Sequence, residues 1–247
     1  MTDLRESLDD GVLTLTLARP RRLNALNPAL VGELGTALER ARRPAVRVVA
    51  ILGEGSSFSS GADVDESLGL PELGAAEAFL SALASVLRAI HVLPKPVIAG
   101  VQGHAAGGGA EIALEADLRI AARDAQLWFP DVGIGSTPAS TWQLVRAVGK
   151  SRATRMVMLR ERLGATEMAE LGLVHEVVAP EALPGAVAAL ARRLCEEAGP
   201  LSLGFAKQGI DLATTADRET DLRHNVAAML ACHLSDEQRA AVERWRT

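Results

Sequence analysis

The sequence predicts an α/β protein whose last third is helical. Three observations carry this. Short β-branched runs alternate with amphipathic helical patterns over the first two thirds of the chain. From Ala139 onward the pattern is mostly helical, apart from "GLVHEVVA" at 172–179. The 247 residues are 48% hydrophobic, enough for a large core, yet only 3% aromatic with no tyrosine, so Ala, Val, Leu and Ile must build it. That length suits one large domain with a helical appendage. No Pro- or Ser-rich linker divides the chain. The expected organisation is one continuous domain, with an α/β core over 1–195 and a helical extension over 196–247.

Each element follows from its local pattern. "VLTLTLA" (12–18) alternates as a strand does. "PALVGELGTALERARR" (28–43) opens on a proline and spaces Val31, Leu34, Leu38 and Ala41 by three and four, the signature of an amphipathic helix. "VRVVAILG" (46–53) and "PVIAGVQG" (96–103) are continuous apolar runs, as expected of strands covered on both faces. A glycine- and serine-rich loop, "GEGSSFSSGADVDE" (53–66), follows the first of them. A helix over about 75–93 carries Phe79, Leu83, Val86, Leu87 and Ile90 on one stripe. "DLRIAA" and "AQLWFP" are strand-like.

Composition narrows the function classes. The formal net charge of −5, with no long basic run, argues against nucleic acid as a partner. Cys195 and Cys232 lie far apart in helical patterns and read as buried small hydrophobes. No CxxC or Cys/His cluster points to a metal. The N-terminal "MTDLRESLDDG" is polar and acidic, unlike a signal peptide, and no apolar run suggests a membrane span. A cytoplasmic protein is expected.

The chemistry centres on "AAGGGAEIALEADLRIA" (105–121), where Gly107, Gly108 and Gly109 run into a helix bearing Glu111. Glycine in a helix costs about 1 kcal/mol against alanine, so three need a reason. A nucleotide loop is disfavoured: neither GxxxxGK[ST] nor GxGxxG is present, and a carboxylate beside the glycines repels phosphate. Close packing of a helix start on a strand is a structural alternative. A third reading explains glycines and acid together. The first N–H groups of a helix lack internal partners, and without Cβ atoms a substrate carbonyl can approach them. They then stabilise an oxyanion or enolate, while an acid one turn along exchanges protons beside that carbonyl. "FSSGADVDE", also following a buried strand, offers a second donor across a crevice at the strand ends.

These segments resemble the crotonase, or enoyl-CoA hydratase/isomerase, superfamily. "ARPRRLNALNPAL", "GEGSSFSSGADVDE", "PVIAGVQGHAAGGGAEIALEADLRIAA", "AQLWFPDVGIGSTPASTWQLVRAVGKSRA", "GATEMAELGLVHEVV" and "PLSLGFAKQGI" follow one another in the family's order. The resemblance implies repeated ββα units in a spiral core and a helical C-terminal region that assembles a homotrimer or dimer of trimers. It implies acyl-CoA thioesters as substrates, the coenzyme A being part of the substrate, with no metal or redox cofactor. The thioester carbonyl would lie on the N–H groups of Ala62 and Gly108. Ala62, Asp63, Val64 and Asp65 would line the CoA path, and Arg21, Arg22 and Lys207 are candidates for its phosphates.

Family hydratases hold one water between two carboxylates. Glu111 falls on the first. Where a glutamate follows proline in the family, "FPDVGIG" supplies Asp131, one methylene shorter. The segment after Gly135 is also about two residues shorter, and "STPAST" lacks the customary glycines. The leading expectation is hydration of an enoyl-CoA, with Glu111 activating the water and Asp131 delivering the proton. The alternatives are double-bond isomerisation, C–C bond formation or decarboxylation on the same enolate, or non-catalytic binding of an acyl-CoA. Glu115, one turn beyond Glu111, reads as a structural or interface carboxylate, and Asp117 as shaping a helix-to-strand turn. His104 reads as packing beneath its loop and Asp63 as fixing its own. Leu68, Leu70, Trp128 and Trp142 are candidates for core or acyl pocket.

Overall fold

The computed structural model describes residues 2–68 and 72–245. The β-branched runs form a sheet of strands β1 (Leu4–Asp9), β2 (Val12–Leu17), β3 (Val48–Gly53), β4 (Val97–Val101), β6 (Leu118–Ala122) and β9 (Glu176–Val178), side by side in that order. From β2 to β9 each strand is parallel to its neighbour. Parallel strands need cover on both faces. On one face Leu15, Leu17, Val49, Ile51 and Val101 pack into a core shared with helices α1 (Pro28–Arg40), α2 (Leu73–Val92) and α3 (Gly108–Glu115). On the other, Val48, Ala50, Ile98 and Ile120 meet Leu183, Val187, Ala191 and Cys195 of α6 (Leu183–Glu197). Cys195 is buried there, whereas Cys232 is only partly covered.

Strand β1 lies where the sequence shows only a polar N-terminus. Of its residues only Leu4 is buried, so no period-two apolar stripe marks it. Its ladder with β2 holds it as an antiparallel edge. The two strands join through Asp10 and Gly11, whose φ angles of 46° and 83° make the tight hairpin turn that Asp-Gly favours.

A smaller sheet of β5 (His104–Ala106), β7 (Gln126–Trp128) and β8 (Leu163–Gly164) stands beside the first. The segments leaving β2, β3 and β4 exit at one end of the main sheet and run alongside one another. Leu26 bridges Ala62, and Ser59 bridges Ala105.

Helix α2 is long and apolar enough, by length and composition, to cross a membrane, which the sequence reading did not anticipate. Here its Phe79–Ile90 stripe is buried in the core against α1 and α3. Beyond the small sheet come α4 (Thr141–Met158), interrupted at Gly149 (φ 76°), and α5 (Ala165–Glu170). The chain then runs through α7 (Pro200–Leu212), α8 (Arg218–His233) and α9 (Asp236–Trp245). Helix α8 leaves Leu222, Val226, Met229 and Leu230 exposed.

Candidate active site

The glycine run makes the start of α3. Gly107 sits at φ 49°, where an L side chain is strained, and turns the chain from β5 into the helix. At Gly109 a Cβ would come within 2.6 Å of the Ser59 carbonyl oxygen, so only glycine lets the two segments touch. Gly108 is the first helical residue, and its N–H has no acceptor among the described residues.

The facing segment is fastened from several sides. Ser59 Oγ donates to the Asn24 carbonyl, Leu26 N donates to Gly61 O, and Asp63 N donates to Leu26 O. Between these last two bonds the Ala62 N–H also has no acceptor among the described residues. The two free donors are neighbours. A Cβ on Gly61 would lie 3.3 Å from Gly108 N, and one on Gly108 would lie 3.9 Å from Ala62 N. Such a pair of fixed N–H groups can hold a carbonyl oxygen as negative charge develops on it.

Asp63 is 3% exposed and pairs with Arg19 at 3.0 Å. Burial raises its pKa, but Arg19 and the backbone N–H groups of Glu66 and Asp65 outweigh that and hold it below the ordinary value. Arg19 also reaches Asp3, Glu66 and the Ala25 carbonyl, tying the loop that carries Ala62. The sequence reading missed Arg19; an Arg at the end of a strand carries no local signal of what it will clamp.

Ala62, Gly107, Gly108, Glu111 and Asp131 all line one cavity of about 610 Å³. Its apolar wall comes from Val64, Phe79, Leu80, Leu83, Trp128 and Ile134. Phe79 and Leu83, which the helical stripe marked as core, thus serve both core and cavity. Trp128 has the Arg162 guanidinium 3.9 Å from its ring centroid. Trp142 stands elsewhere, half-exposed beneath Arg146. Leu70 and the Leu68 side chain lie outside the described residues.

Glu111 is 3% exposed. Burial raises its pKa, the N–H groups of Ser140 and Ala139 oppose that, and the charges of Asp131 and Glu115 add to the rise; the net shift is upward. Its Oε1 accepts hydrogen bonds from Ala139 N and from Ser140 N, the latter at 2.9 Å. Both donors stand 28 or 29 residues away in the chain, and no sequence spacing announced them. Asp131 lies against the glycine turn: a Cβ on Gly107 would be 3.6 Å from its Oδ1. Burial raises its pKa too, and its buried Oδ2 has no hydrogen-bond partner among the described residues.

The candidates for CoA are only partly gathered. Arg22 pairs with Asp65 at 3.2 Å, and both are exposed, as is Arg21. None of the three lines the cavity. Lys207 does not fit the expectation of a phosphate ligand. Its ammonium donates to Asp117 at 2.8 Å, Ile90 O at 2.9 Å and Lys95 O at 3.4 Å, which occupies all three N–H bonds. Asp117 Oδ2 also accepts from Val97 N at 2.8 Å, pinning the turn between α3 and β6 to the start of β4. His104 sits in β5 beneath the loop with its buried Nδ1 unpartnered among the described residues.

Two N–H groups without acceptors among the described residues, beside a buried and a half-buried carboxylate at the ends of parallel strands, are the equipment of a class of enzyme that works on an activated carbonyl. Comparison with known proteins agrees. The family model described as enoyl-CoA hydratase/isomerase matches residues 7–245, and the chain belongs to this family, within the crotonase superfamily. The family acts on acyl-CoA thioesters. A 1,2-epoxyphenylacetyl-CoA isomerase of Escherichia coli is 35% identical over 91% of this chain and 94% of its own length. A short-chain-enoyl-CoA hydratase of Clostridium acetobutylicum is 33% identical over 94% of this chain and 89% of its own. The crystal structure of an enoyl-CoA hydratase from Bacillus anthracis superposes with a TM-score of 0.93 at 29% identity, covering 99% of this chain and 96% of that one.

Proposed function

We propose that the protein is an enoyl-CoA hydratase. The observation that carries this is the convergence of two carboxylates, the buried Glu111 and the half-buried Asp131, on the cavity that also holds the free Ala62 and Gly108 N–H groups. The thioester carbonyl oxygen accepts from both N–H groups, which stabilise the enolate. Glu111, as carboxylate, takes a proton from a water whose oxygen bonds to Cβ. Asp131, as carboxylic acid, gives its proton to Cα. The sum is one water added across the double bond, and a proton returned from Glu111 to Asp131 resets the site. The raised pKa values suit these roles: one group must give a proton and one must take it near neutral pH. Arg21 and Arg22 meet the CoA phosphates at the surface. The reaction calls on no metal or redox cofactor. The exposed apolar residues of α8 seat neighbouring subunits in a trimer or hexamer, and the enzyme works in the cytoplasm.

One observation favours a second reaction on the same enolate. Glu111 is held by two N–H groups, whereas Asp131 Oδ2 has no hydrogen-bond partner among the described residues. A single acid without such ties can carry one proton between two carbons of the acyl group, which is double-bond isomerisation. A mass-spectrometric screen of an acyl-CoA panel in isotopic water separates the two. Hydration adds a whole water to an enoyl-CoA; isomerisation adds no oxygen and exchanges carbon-bound hydrogen. Isomerised product with no ¹⁸O uptake on any member would overturn the hydratase reading.

A further inference from the structure

Ser140 occupies the position before the first turn of α4, where a serine usually turns its hydroxyl onto the N–H groups of its own helix. It makes no such cap. Its Oγ instead donates to Glu115 Oε1 at 2.9 Å, while its N–H donates to Glu111 Oε1 at 2.9 Å. Glu111 and Glu115 are four residues apart on α3 and therefore on one face, where two like charges repel. Ser140 is 4% exposed and is gripped by both: one carboxylate on its amide, the other on its hydroxyl.

Glu115 is itself fixed from behind. Gln143 Nε2 donates to its Oε2 at 3.2 Å, and His91 Nδ1 stands 3.5 Å from the same oxygen. His91 in turn meets Asp211 at 3.0 Å through Nε2. Glu115 does not line the cavity of Glu111 and Asp131; it borders a separate one of about 530 Å³ with His91 and Asp211. It is therefore set apart from the two carboxylates and the glycine turn of that site. The link to Glu111 passes through a backbone amide, which relays position rather than protons.

We propose that Glu115 is a positioning residue for the reaction, holding Ser140 so that its N–H fixes Glu111 Oε1 and leaves Oε2 aimed at the reacting atoms. This rests on Glu111 being a reacting carboxylate, as proposed above. Oε2 accepts no hydrogen bond among the described residues, as a group kept for substrate or water must. Small misplacements of a reacting group cost rate out of proportion to the stability they change.

The test compares Ser140→Ala, Glu115→Ala, their double variant and Glu115→Gln in the full chain. The substrate is the panel member that the wild type turns over fastest, and Glu111→Gln is the reference. Ser140→Ala and Glu115→Ala are each expected to lower kcat by on the order of tenfold with KM essentially unchanged, because neither the carbonyl donors nor the CoA path is touched. The double variant is expected to lose no more than either single one, the mark of two residues acting as a unit. Glu115→Gln keeps an oxygen that accepts from Ser140 and is expected to restore most of kcat. Wild-type kcat in folded Ser140→Ala, or losses that multiply in the double variant, would overturn the inference while Glu111→Gln remains inactive. Wild-type turnover by Glu111→Gln would instead remove the hydratase reading, and this inference with it.

Discussion

Proline at position 108 replaces the N–H by a ring methylene at the very place a carbonyl oxygen would take, which makes it the sharpest probe of the site. Gly108 is the first residue of α3, a position that proline fits well because the N–H there has no helical partner. Gly107 before it, at φ 49° and ψ −124°, is already outside the helical region that a following proline forbids. A Cβ at 108 would stand 3.0 Å from Leu26 Cδ1 and 3.4 Å from Leu83 Cδ2, tight contacts with side-chain ends that must yield slightly. That costs about 1 kcal/mol of stability. Gly108→Ala adds the same Cβ and keeps the N–H, so it is the control. Loss of one oxyanion donor costs about 100- to 1,000-fold in kcat, or roughly 3–4 kcal/mol. The expected result is a Gly108→Pro kcat at least about 100-fold below that of Gly108→Ala, with similar melting temperatures. The assay is steady-state turnover of the preferred acyl-CoA, with thermal melts alongside. Equal kcat in the two folded variants would refute the assignment of this N–H to the carbonyl.

Asp131→Asn is expected to lower hydration by about 100-fold or more, since it can no longer supply the proton; turnover retained on every substrate would remove Asp131 from the chemistry. Asp131→Glu restores the length found in family hydratases and is expected to raise turnover of crotonyl-CoA, whereas a fall on all substrates would show that the shorter acid makes room for the native acyl group. Lys207→Met leaves Asp117 without its cation and is expected to lower unfolding free energy by about 2–3 kcal/mol in denaturant titration, with KM for acyl-CoA unchanged; a raised KM at wild-type stability would restore Lys207 as a phosphate ligand. The Glu111 pKa is raised on folding, so the folded state binds its proton more tightly and that contribution to stability is lost as pH rises through the folded value. Glu111→Gln is therefore expected to be more stable than wild type at neutral pH, with the gain vanishing below the ordinary glutamate pKa; melts across that range check it. Light scattering at micromolar concentration is expected to show a trimer or hexamer, and a monodisperse monomer would leave Val226, Met229 and Leu230 of α8 without a role.

The sequence by itself determined the buried strands, the helix stripes and the special start of α3. Each is a short-range matter: apolar periodicity places β3, β4 and α2, and three glycines before Glu111 allow a helix to begin against another segment. Strand β1 escaped because an edge strand needs only one buried residue, and its ladder comes from a partner the local pattern does not show. Glu111, Asp131, Ala62 and Gly108 could be named as site candidates because each lies inside a segment that resembles the family's; that they line one cavity came from the fold. The groups that govern them could not be named. Ala139 and Ser140 hold Glu111 from 28 and 29 residues away, and Arg19 clamps Asp63 across 44. The same holds for Lys207, which the family resemblance offered as a phosphate ligand and around whose ammonium the fold places Asp117 and two carbonyls. A side chain's type and neighbours fix what chemistry it can do. Which partner it meets, and how far burial shifts its pKa, is set by chain segments that only folding brings together.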